Sequence, residues 1–281
     1  IKELLDSLCL QQDKNFSIVL VEDGSSIPCK DIVNHYHDKL EIKYFFKDNS
    51  GPGDSRNYGM EKATGDYFIF FDSDCVIPPD YFENINDFLS KTPLDTFGGP
   101  DDAAASFSNV QKAINYAMTS VITTGGIRGK ETRLDNYQPR SFNMGVTRRV
   151  YEMVGGFSDI HPGEDPDWSY RIMNAGFKIG LIPEAKVWHK RRINFGKFAQ
   201  QVYKFGVVRI ILMKWYPDKF KLTYTLPSLF FLGTIVAIIS SALISTIALT
   251  PLLLFITVIF VDALRLTKKP KIAFMAVLAT F

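Results

Sequence analysis

The sequence predicts an α/β domain with a doubly wound mixed sheet, followed by membrane-spanning helices. Two observations indicate the domain: apolar runs that end in acidic residues, and helical patterns that alternate with them. The third observation is the stretch from Leu226 to Leu266, where Asp262 and Arg265 are the only charged residues. Roughly forty apolar residues suffice for two membrane helices, because each needs about 20.

The composition is that of a folded protein and does not favour nucleic acid as a partner. Of the 281 residues, 46% are hydrophobic and 22% are charged, which excludes disordered chains and repeat arrays. The formal charge is only +2, and no basic stripe with interleaved aromatic residues occurs. The widely spaced Cys9, Cys29 and Cys75 indicate neither a zinc site nor a disulfide framework, so a reducing compartment is the simpler interpretation.

Helical and strand patterns alternate in the first part of the chain. Residues 1–12 have leucines at helical spacing, and "FSIVLVEDGSS" is an apolar run that ends in acids, as buried parallel strands do at the edge where ligands bind. A helix around Cys29–Lys39 and a strand at "IKYFF" follow. "GPGDSRNYGMEKATG" predicts a loop and a helix that ends at Gly65, and "DYFIFFDSD" predicts a second acid-terminated strand.

The pattern is irregular over residues 101–140, where we expect the sugar and the acceptor to be selected. It then predicts a helix from Pro166 to Ala175, with Gly176 after it, and two short strands. From Asn194 to Trp215, aromatic and basic residues mix at helical spacing. This fits a helix at a membrane interface and an ordinary surface helix equally well.

The apolar C-terminal part predicts membrane helices over about 226–248 and 251–267, and the start of a third at 272. Thr250-Pro251 suits the break between the first two, because proline favours a first helical turn. Buried core helices are the alternative, although those normally keep a polar face. The chain opens at Ile1 in a helical pattern and stops inside an apolar run, so we expect a fragment that is truncated at both ends.

Acidic residues follow both predicted strands. Asp72-Ser73-Asp74 closes the second strand, and period-two geometry puts both carboxylates on the same side, where they suit Mg²⁺ or Mn²⁺ carrying a diphosphate. A solvated turn is the alternative. Asp23, which closes the first strand, can accept hydrogen bonds from a ribose or a base, or can cap the next element.

Three further segments can carry chemistry. The glycine-rich segment around Arg56 and Asn57 suits a phosphate group, or is a plain turn before a helix. Arg56 occupies the third glycine position of G-x-G-x-x-G, which argues against dinucleotide binding. Asp165 suits an N-cap with Pro166 at the first helical position, and a carboxylate there is also well placed as a general base. His189 is a structural histidine or a metal ligand.

In this order, these segments resemble family 2 glycosyltransferases of the GT-A fold, over about residues 1–215. The resemblance lies in "VEDGSS", "SRNYGMEKATGDYFIFFDSD", "SFNMGVTRRVYEMVGGF", "GEDPDWSYRIMNAGFKIGLIPEAKVWH" and the apolar spans that follow. Within the family, the chain looks most like membrane-anchored bacterial enzymes of exopolysaccharide assembly, such as the succinoglycan type. The family's first strand would precede Ile1, so we expect it to be missing.

The resemblance implies roles for individual residues. Asp23 matches the acid that contacts the uridine of the donor, Asp74 is the more direct metal ligand of the D-x-D motif, and Asp165 is the general base of the E-D motif. The implied set comprises the catalytic residues Asp165 and Glu164, the donor-binding residues Asp23, Arg56, Asn57 and Asp72, the metal ligands Asp72, Asp74 and His189, and the candidate acceptor or diphosphate contacts Asn143, Gln201 and Lys204.

The resemblance further implies an inverting, metal-dependent hexosyltransferase. It would use Mg²⁺ or Mn²⁺ and move a sugar from a nucleotide-diphosphate-sugar, expected to be a UDP-sugar, to a glycan or lipid-linked acceptor in bacterial cell-surface polysaccharide synthesis. Processive relatives carry Q-x-x-R-W where this chain has Gln201-Val-Tyr-Lys204-Phe205, and lysine lacks the planar fork of arginine, so we expect non-processive transfer. A processive synthase, a nucleotidyltransferase and a non-enzymatic membrane scaffold are the alternatives.

The basic run Lys268-Lys269-Pro270-Lys271 predicts the orientation in a bacterial inner membrane, because short basic loops stay cytoplasmic. Two spans return the chain to its starting side, so the multi-pass protein would keep its catalytic domain in the cytoplasm. The predicted division is a GT-A catalytic domain over 1–190, an interfacial helix region over 191–225, and transmembrane helices over 226–281.

Overall fold

The computed structural model describes residues 1–102, 107–124, 137–190 and 194–281. The chain divides into two compact units. Unit 1 comprises Ile1–Ser106 and Gly126–Lys190, and unit 2 comprises Phe107–Gly125 and Arg191–Phe281. The described part of unit 1 contains strands and helices, whereas that of unit 2 is helical.

The strands of unit 1 form separate ladders. In chain order they are β1 (Ile18–Asp23), β2 (Ile42–Lys47), β3 (Tyr67–Phe71), β4 (Cys75–Val76), β5 (Thr96–Gly98), β6 (Asp101–Asp102), β7 (Asn143–Thr147), β8 (Ile179–Leu181) and β9 (Val187–His189). β1 pairs with β2 in parallel. A four-stranded sheet has the order β3-β7-β5-β8, in which β7 is antiparallel to both of its neighbours and β5 is parallel to β8. In a three-stranded sheet, β9 lies between β4 and β6. The predicted mixed α/β architecture is confirmed.

The helices alternate with these strands and then continue alone. In chain order they are α1 (Lys2–Cys9), α2 (Lys30–Asn34), α3 (Pro52–Lys62), α4 (Tyr81–Lys91), α5 (Asn109–Thr119), α6 (Val121–Thr124), α7 (Arg148–Val154), α8 (Glu164–Asn174), α9 (Phe195–Trp215), α10 (Leu226–Leu243), α11 (Thr250–Thr267) and α12 (Pro270–Thr280). α2 ends five residues before the predicted Lys39, and α3 ends at Lys62 rather than at Gly65.

Two apolar clusters hold unit 1 together. One contains Leu5 of α1, Tyr81 of α4 and Phe97 of β5. The other contains Met144 of β7 and Trp168 of α8, and both side chains are fully buried. Each such side chain stabilises the fold by about 1.5–3 kcal/mol. The second cluster therefore fixes α8, and with it the E-D motif, against the sheet.

The start of α8 differs from the prediction. The helix begins at Glu164, and Gly163 is its N-cap, so Asp165 is the second helical residue rather than the cap. The Asp167 amide donates to the Gly163 carbonyl at 3.1 Å, which closes the first helical turn two residues earlier than expected. Gly163 has a φ of 126°, a conformation that glycine adopts without steric cost. Gly176 follows the helix with a φ of 82°, as predicted.

Unit 2 combines the C-terminal helices with a segment from the middle of the chain. α5 packs against α12, and the Tyr116 hydroxyl donates to Asp262 Oδ2 at 2.7 Å. The hydrogen bond from Tyr116 gives Asp262, an acid within the apolar helix α11, a polar partner. Part of the segment 101–140 that the pattern left irregular is thus helical, and residues 103–106 and 125–136 of it lie outside the described residues.

Two stretches of unit 2 are long and apolar enough to cross a membrane, Leu222–Leu243 and Thr246–Thr267. Each begins with a short 3₁₀ turn that leads into α10 or α11. Pro251 lies in the first turn of α11, where its missing N–H costs no hydrogen bond. α12 is also apolar but shorter.

Candidate active site

Asp23 lies at the carboxyl end of β1 and binds the loop before α3. Its carboxylate accepts hydrogen bonds from Lys47 Nζ at 2.5 Å and from the amides of Ser50 and Gly51, both at 2.9 Å. Burial raises the pKa of this carboxyl group, but the hydrogen bonds together outweigh burial, and the pKa falls below its ordinary value. Asp23 is therefore a fixed, charged acceptor at the edge of the sheet.

Arg56 of α3 stands among three carboxylates, and together they are named the Arg56 cluster: Arg56, Asp72, Glu164 and Asp165. Arg56 Nη2 donates to Asp72 Oδ1 at 2.8 Å, and Nη1 lies 3.5 Å from Glu164 Oε1. Burial lowers the pKa of the guanidinium, but attraction to Asp72, Asp165 and Glu164 outweighs burial and raises it. The Phe157 ring covers the guanidinium, with its centroid 5.5 Å from Cζ.

The two acids of the E-D motif differ in their partners. Glu164 is buried, accepts a hydrogen bond from the Gly163 amide at 2.9 Å, and lies 3.2 Å from His161 Nδ1. Asp165 Oδ1 is also buried, but it has no hydrogen-bond partner in the described part of the chain. Its place in the first turn of α8 stabilises a negative charge through the helix dipole. Asp165 thus keeps an oxygen that can accept a proton, whereas the carboxylate of Glu164 already has the Gly163 amide and His161 as partners.

The acids of the D-x-D motif do not continue the strand. β3 ends at Phe71, and the Cys75 amide donates to the Asp72 carbonyl at 3.0 Å, which closes a tight turn. Asp72 pairs with Arg56, while Asp74 Oδ1 lies 3.3 Å from His189 Nε2. The predicted period-two geometry is therefore corrected, and the two carboxylates belong to different groups.

The second of these groups surrounds His189. β4 and β9 pair with Cys75 opposite His189, and ligand atoms of Asp74, Cys75 and His189 all lie within 4.8 Å of one another. We call these three residues the His189 group. His189 Nδ1 lies 3.7 Å from Asp101 Oδ2, and a carboxylate behind a metal-binding imidazole commonly fixes its orientation. A carboxylate and an imidazole that face each other fit a divalent cation.

Asn57 holds the loop between α7 and α8. Its Nδ2 donates to the Phe157 carbonyl and its Oδ1 accepts from the Phe157 amide, both at 2.8 Å. A Cβ added to Gly156 would lie 2.1 Å from Asn57 Oδ1, so only glycine fits there. Arg171 of α8 donates to the Gly156 carbonyl at 2.6 Å. With both polar atoms of its amide engaged, Asn57 positions Phe157 over Arg56, and it also lines the open pocket beside this loop, so its role in binding the donor stays a prediction.

An open pocket of ≈ 520 Å³ lies between this loop and the start of α3. Its lining includes Ser50 and Gly51, which bind Asp23, and Phe157 and His161, which contact Arg56 and Glu164 respectively. The pocket is thus lined by residues that contact Asp23 and by residues that contact members of the Arg56 cluster.

The predicted acceptor or diphosphate contacts have other surroundings. Asn143 is 0% exposed, accepts from the Tyr81 hydroxyl at 2.5 Å and donates to the Ala185 carbonyl at 2.7 Å. A buried amide with these partners suits a structural role, and the acceptor contact stays a prediction. Gln201 and Lys204 lie in α9 of unit 2, where Gln201 is half-buried and Lys204 is exposed.

Sequence reasoning missed several residues of the site. Lys47 ends β2 directly opposite Asp23 in the parallel register, and that pairing could have been inferred from two adjacent strands. Phe157 and Asp101 carried no comparable signal, because the loop before α8 and β6 bring them to the site from other parts of the chain. Cys75 directly follows Asp74, but its place beside His189 depends on the pairing of β4 with β9.

A family model described as Glycosyl transferase family 2 matches residues 1–153, more than half of the chain. The chain belongs to this family. An uncharacterized glycosyltransferase of Haemophilus influenzae is 40% identical over 89 residues, which cover 31% of this chain and 36% of that relative. The chain therefore spans about a third of the length of that relative. The predicted family is confirmed.

Two solved structures have the same fold. The mannosyltransferase PcManGT from Pyrobaculum calidifontis, in complex with GDP-Man and Mn²⁺, has a TM-score of 0.68 at 14% identity, over 100% of this chain and 82% of that one. TarS 1-349 of S. aureus, in complex with UDP-GlcNAc, has a TM-score of 0.51 at 15% identity, over 99% and 86%. These likenesses confirm the GT-A fold.

Proposed function

We propose that this glycosyltransferase moves a sugar, with inversion, from a nucleotide-diphosphate-sugar to an acceptor hydroxyl, and that Asp165 is the general base. The observation that carries the proposal is the buried Asp165 Oδ1, which lacks a hydrogen-bond partner among the described residues although its neighbours in the Arg56 cluster are paired. A positioned base with a vacant acceptor atom is what proton abstraction from a hydroxyl requires.

The reaction is a single displacement. The acceptor oxygen attacks the anomeric carbon, the bond from that carbon to the diphosphate breaks, and the hydroxyl proton passes to Asp165 Oδ1. An α-linked donor then gives a β-linked product. Arg56 holds the carboxylates of Asp72 and Glu164 in place, and the Phe157 ring limits the access of water to the guanidinium.

The donor is proposed to be a UDP-sugar anchored at Asp23. The carboxylate is held ionised by hydrogen bonds from Lys47, Ser50 and Gly51, and a fixed, charged acceptor of this kind suits a base N–H. The solved structures of the same fold hold GDP-Man in one case and UDP-GlcNAc in the other. The pocket beside Ser50 and Phe157 is the proposed place of the substrates.

A divalent cation, Mg²⁺ or Mn²⁺, is proposed at Asp74 and His189. The facing carboxylate and imidazole, with Asp101 behind the ring, support this assignment, and Mn²⁺ is present in the mannosyltransferase complex. When bound, the cation would neutralise charge on the departing diphosphate. Asp72 stays with Arg56 in this proposal and contributes to the cation indirectly.

Unit 2 is proposed to anchor the enzyme in a bacterial inner membrane, with unit 1 in the cytoplasm. The support is the two apolar stretches and the basic run Lys268–Lys271 after the second. The acceptor is proposed to be a glycan or lipid-linked glycan of a cell-surface polysaccharide, extended without processivity. Protease treatment of intact cells checks the orientation, since a unit 1 cleaved from outside would contradict it.

The test of Asp165 compares Asp165→Asn with Glu152→Gln, an exposed acid of α7, in the purified full chain. Transfer should fall by roughly 10²–10⁴-fold in Asp165→Asn, the usual contribution of a positioned base. The free energy of unfolding should change by under about 1 kcal/mol, the value of a first-turn acid at a helix dipole. Glu152→Gln should behave as wild type.

Near-normal turnover of Asp165→Asn would remove Asp165 from the mechanism. The assay follows release of nucleoside diphosphate from a panel of nucleotide-sugars with Mn²⁺. Release of pyrophosphate instead would indicate a nucleotidyltransferase.

A further inference from the structure

The His189 group contains a thiol beside the carboxylate and the imidazole. Cys75 is 0% exposed and lies directly opposite His189 in the β4–β9 pair, and its Sγ is within 4.8 Å of the ligand atoms of Asp74 and His189. Among the described residues, Cys75 is the cysteine that shares such a group with a histidine and an acid. Cys29 instead donates its thiol to Glu22 Oε2 at 3.3 Å.

We infer that Cys75 is a third ligand at this site, so that the His189 group binds thiophilic divalent cations such as Zn²⁺ and Co²⁺ through a thiolate, an imidazole and a carboxylate. The inference rests on the proposed cation site at Asp74 and His189. It adds a ligand that Mg²⁺ and Mn²⁺ do not use, because those ions prefer oxygen, whereas thiolate selects softer ions.

The geometry needs only a small contraction. Ligands of a tetrahedral zinc ion lie about 3.4–3.8 Å apart, since zinc–nitrogen and zinc–sulfur bonds are about 2.0–2.3 Å long. The atoms of the group lie within 4.8 Å of one another, so the distance between any two of them needs to shorten by about 1.4 Å at most. The Asp74 side chain is 41% exposed and can make most of this movement, while the backbone pairing of β4 and β9 holds the other two.

Binding of the cation by Cys75 releases the thiol proton to water. The Cys75 S–H bond breaks, the proton goes to water, and the thiolate sulfur binds the cation. Three protein ligands leave a fourth position open, as in catalytic zinc sites, for water or a phosphate oxygen. Affinity generally rises from Mn²⁺ to Co²⁺ and Zn²⁺ at a given site, so such ions would displace Mn²⁺.

The test is a cobalt titration of the purified full chain. Co²⁺ bound by a thiolate gives a charge-transfer absorption band in the near ultraviolet, and this readout does not depend on catalysis. Wild type and the matched control Cys29→Ser should show the band, and added Zn²⁺ should remove it. Cys75→Ser should lose the band and bind Co²⁺ about tenfold or more weakly, because one strong ligand is absent.

Two results would overturn the inference: Co²⁺ retained in equilibrium dialysis without the band, or a band that persists in Cys75→Ser. Cys75→Ala is the second variant, and circular dichroism of both variants checks that loss of the band is not loss of the fold. If the band is absent but Mn²⁺ still supports transfer, the inference fails while the proposed cation site stands. If Mn²⁺ has no effect on transfer in wild type, the proposed metal dependence itself fails.

Discussion

The Arg56 cluster and the His189 group receive neighbouring acids of one motif and use them differently. Asp72 enters a cluster in which a guanidinium pairs carboxylates at 2.8 and 3.5 Å. Asp74 enters a group in which a carboxylate, a thiol and an imidazole converge within 4.8 Å. In the Arg56 cluster, the guanidinium balances the negative charge of the carboxylates. In the His189 group, an oxygen, a sulfur and a nitrogen atom face one another as potential metal ligands. Two acids separated by one residue therefore have different partners.

The largest expected effect separates the two acids by metal dependence. Asp74→Ala should lower transfer by at least about 10²-fold and weaken Mn²⁺ binding, because it removes a direct ligand. Asp72→Asn should lower transfer while leaving Mn²⁺ binding nearly unchanged. Mn²⁺ titrations of both variants measure this. Equal loss of Mn²⁺ affinity in the two variants would mean that Asp72 and Asp74 act as one metal site.

The next effect tests charge pairing in the Arg56 cluster. Arg56→Met keeps much of the apolar length and leaves three carboxylates without their cation, so we expect a loss of about 1–3 kcal/mol in the free energy of unfolding. Transfer should fall as well. The double variant Arg56→Met with Asp72→Asn should recover part of the lost stability, because it removes one of the carboxylates that Arg56→Met leaves without a cation. Denaturant unfolding of the single and double variants gives the coupling. An additive double variant would contradict the pairing.

A smaller effect concerns Asn143, which lies outside both groups. Asn143→Ala leaves the Tyr81 hydroxyl and the Ala185 carbonyl without their partner, at a cost of about 1–3 kcal/mol. Transfer per folded molecule should stay near wild type. Melting temperature and turnover, measured on the same sample, distinguish this structural role from an acceptor contact, which predicts loss of turnover in a molecule that is still folded.

The smallest effect is the pH dependence that Asp23 contributes. Its pKa is lower in the folded protein than its ordinary value, so its contribution to stability is complete above the ordinary value of 3.8. The contribution is lost as the pH falls through the folded pKa. The difference in stability between wild type and Asp23→Asn should therefore be constant near neutral pH and shrink below pH 3.8. A difference that grows on acidification would contradict the hydrogen bonds from Lys47, Ser50 and Gly51.

Most of the fold could be predicted from local patterns. The acid-terminated apolar runs became β1 and β3, and the leucine spacing became α1, because strand and helix periodicities are properties of adjacent residues. The resemblance of ordered motifs identified the family and the GT-A fold. The start of α8 was predicted two residues late, since Gly163 provided a cap that the Asp-Pro pattern obscured.

The sequence by itself thus determined the elements, the family and the set of candidate acids. Only the tertiary structure decided which acid has which partner: Asp72 with Arg56, Asp74 with His189, and Asp165 with an oxygen that no described residue occupies. It also placed Asn143 in the interior. The physical reason is that hydrogen bonds and burial depend on segments distant in the chain. Residues of the same type and similar spacing become distinct only when packing brings those segments together.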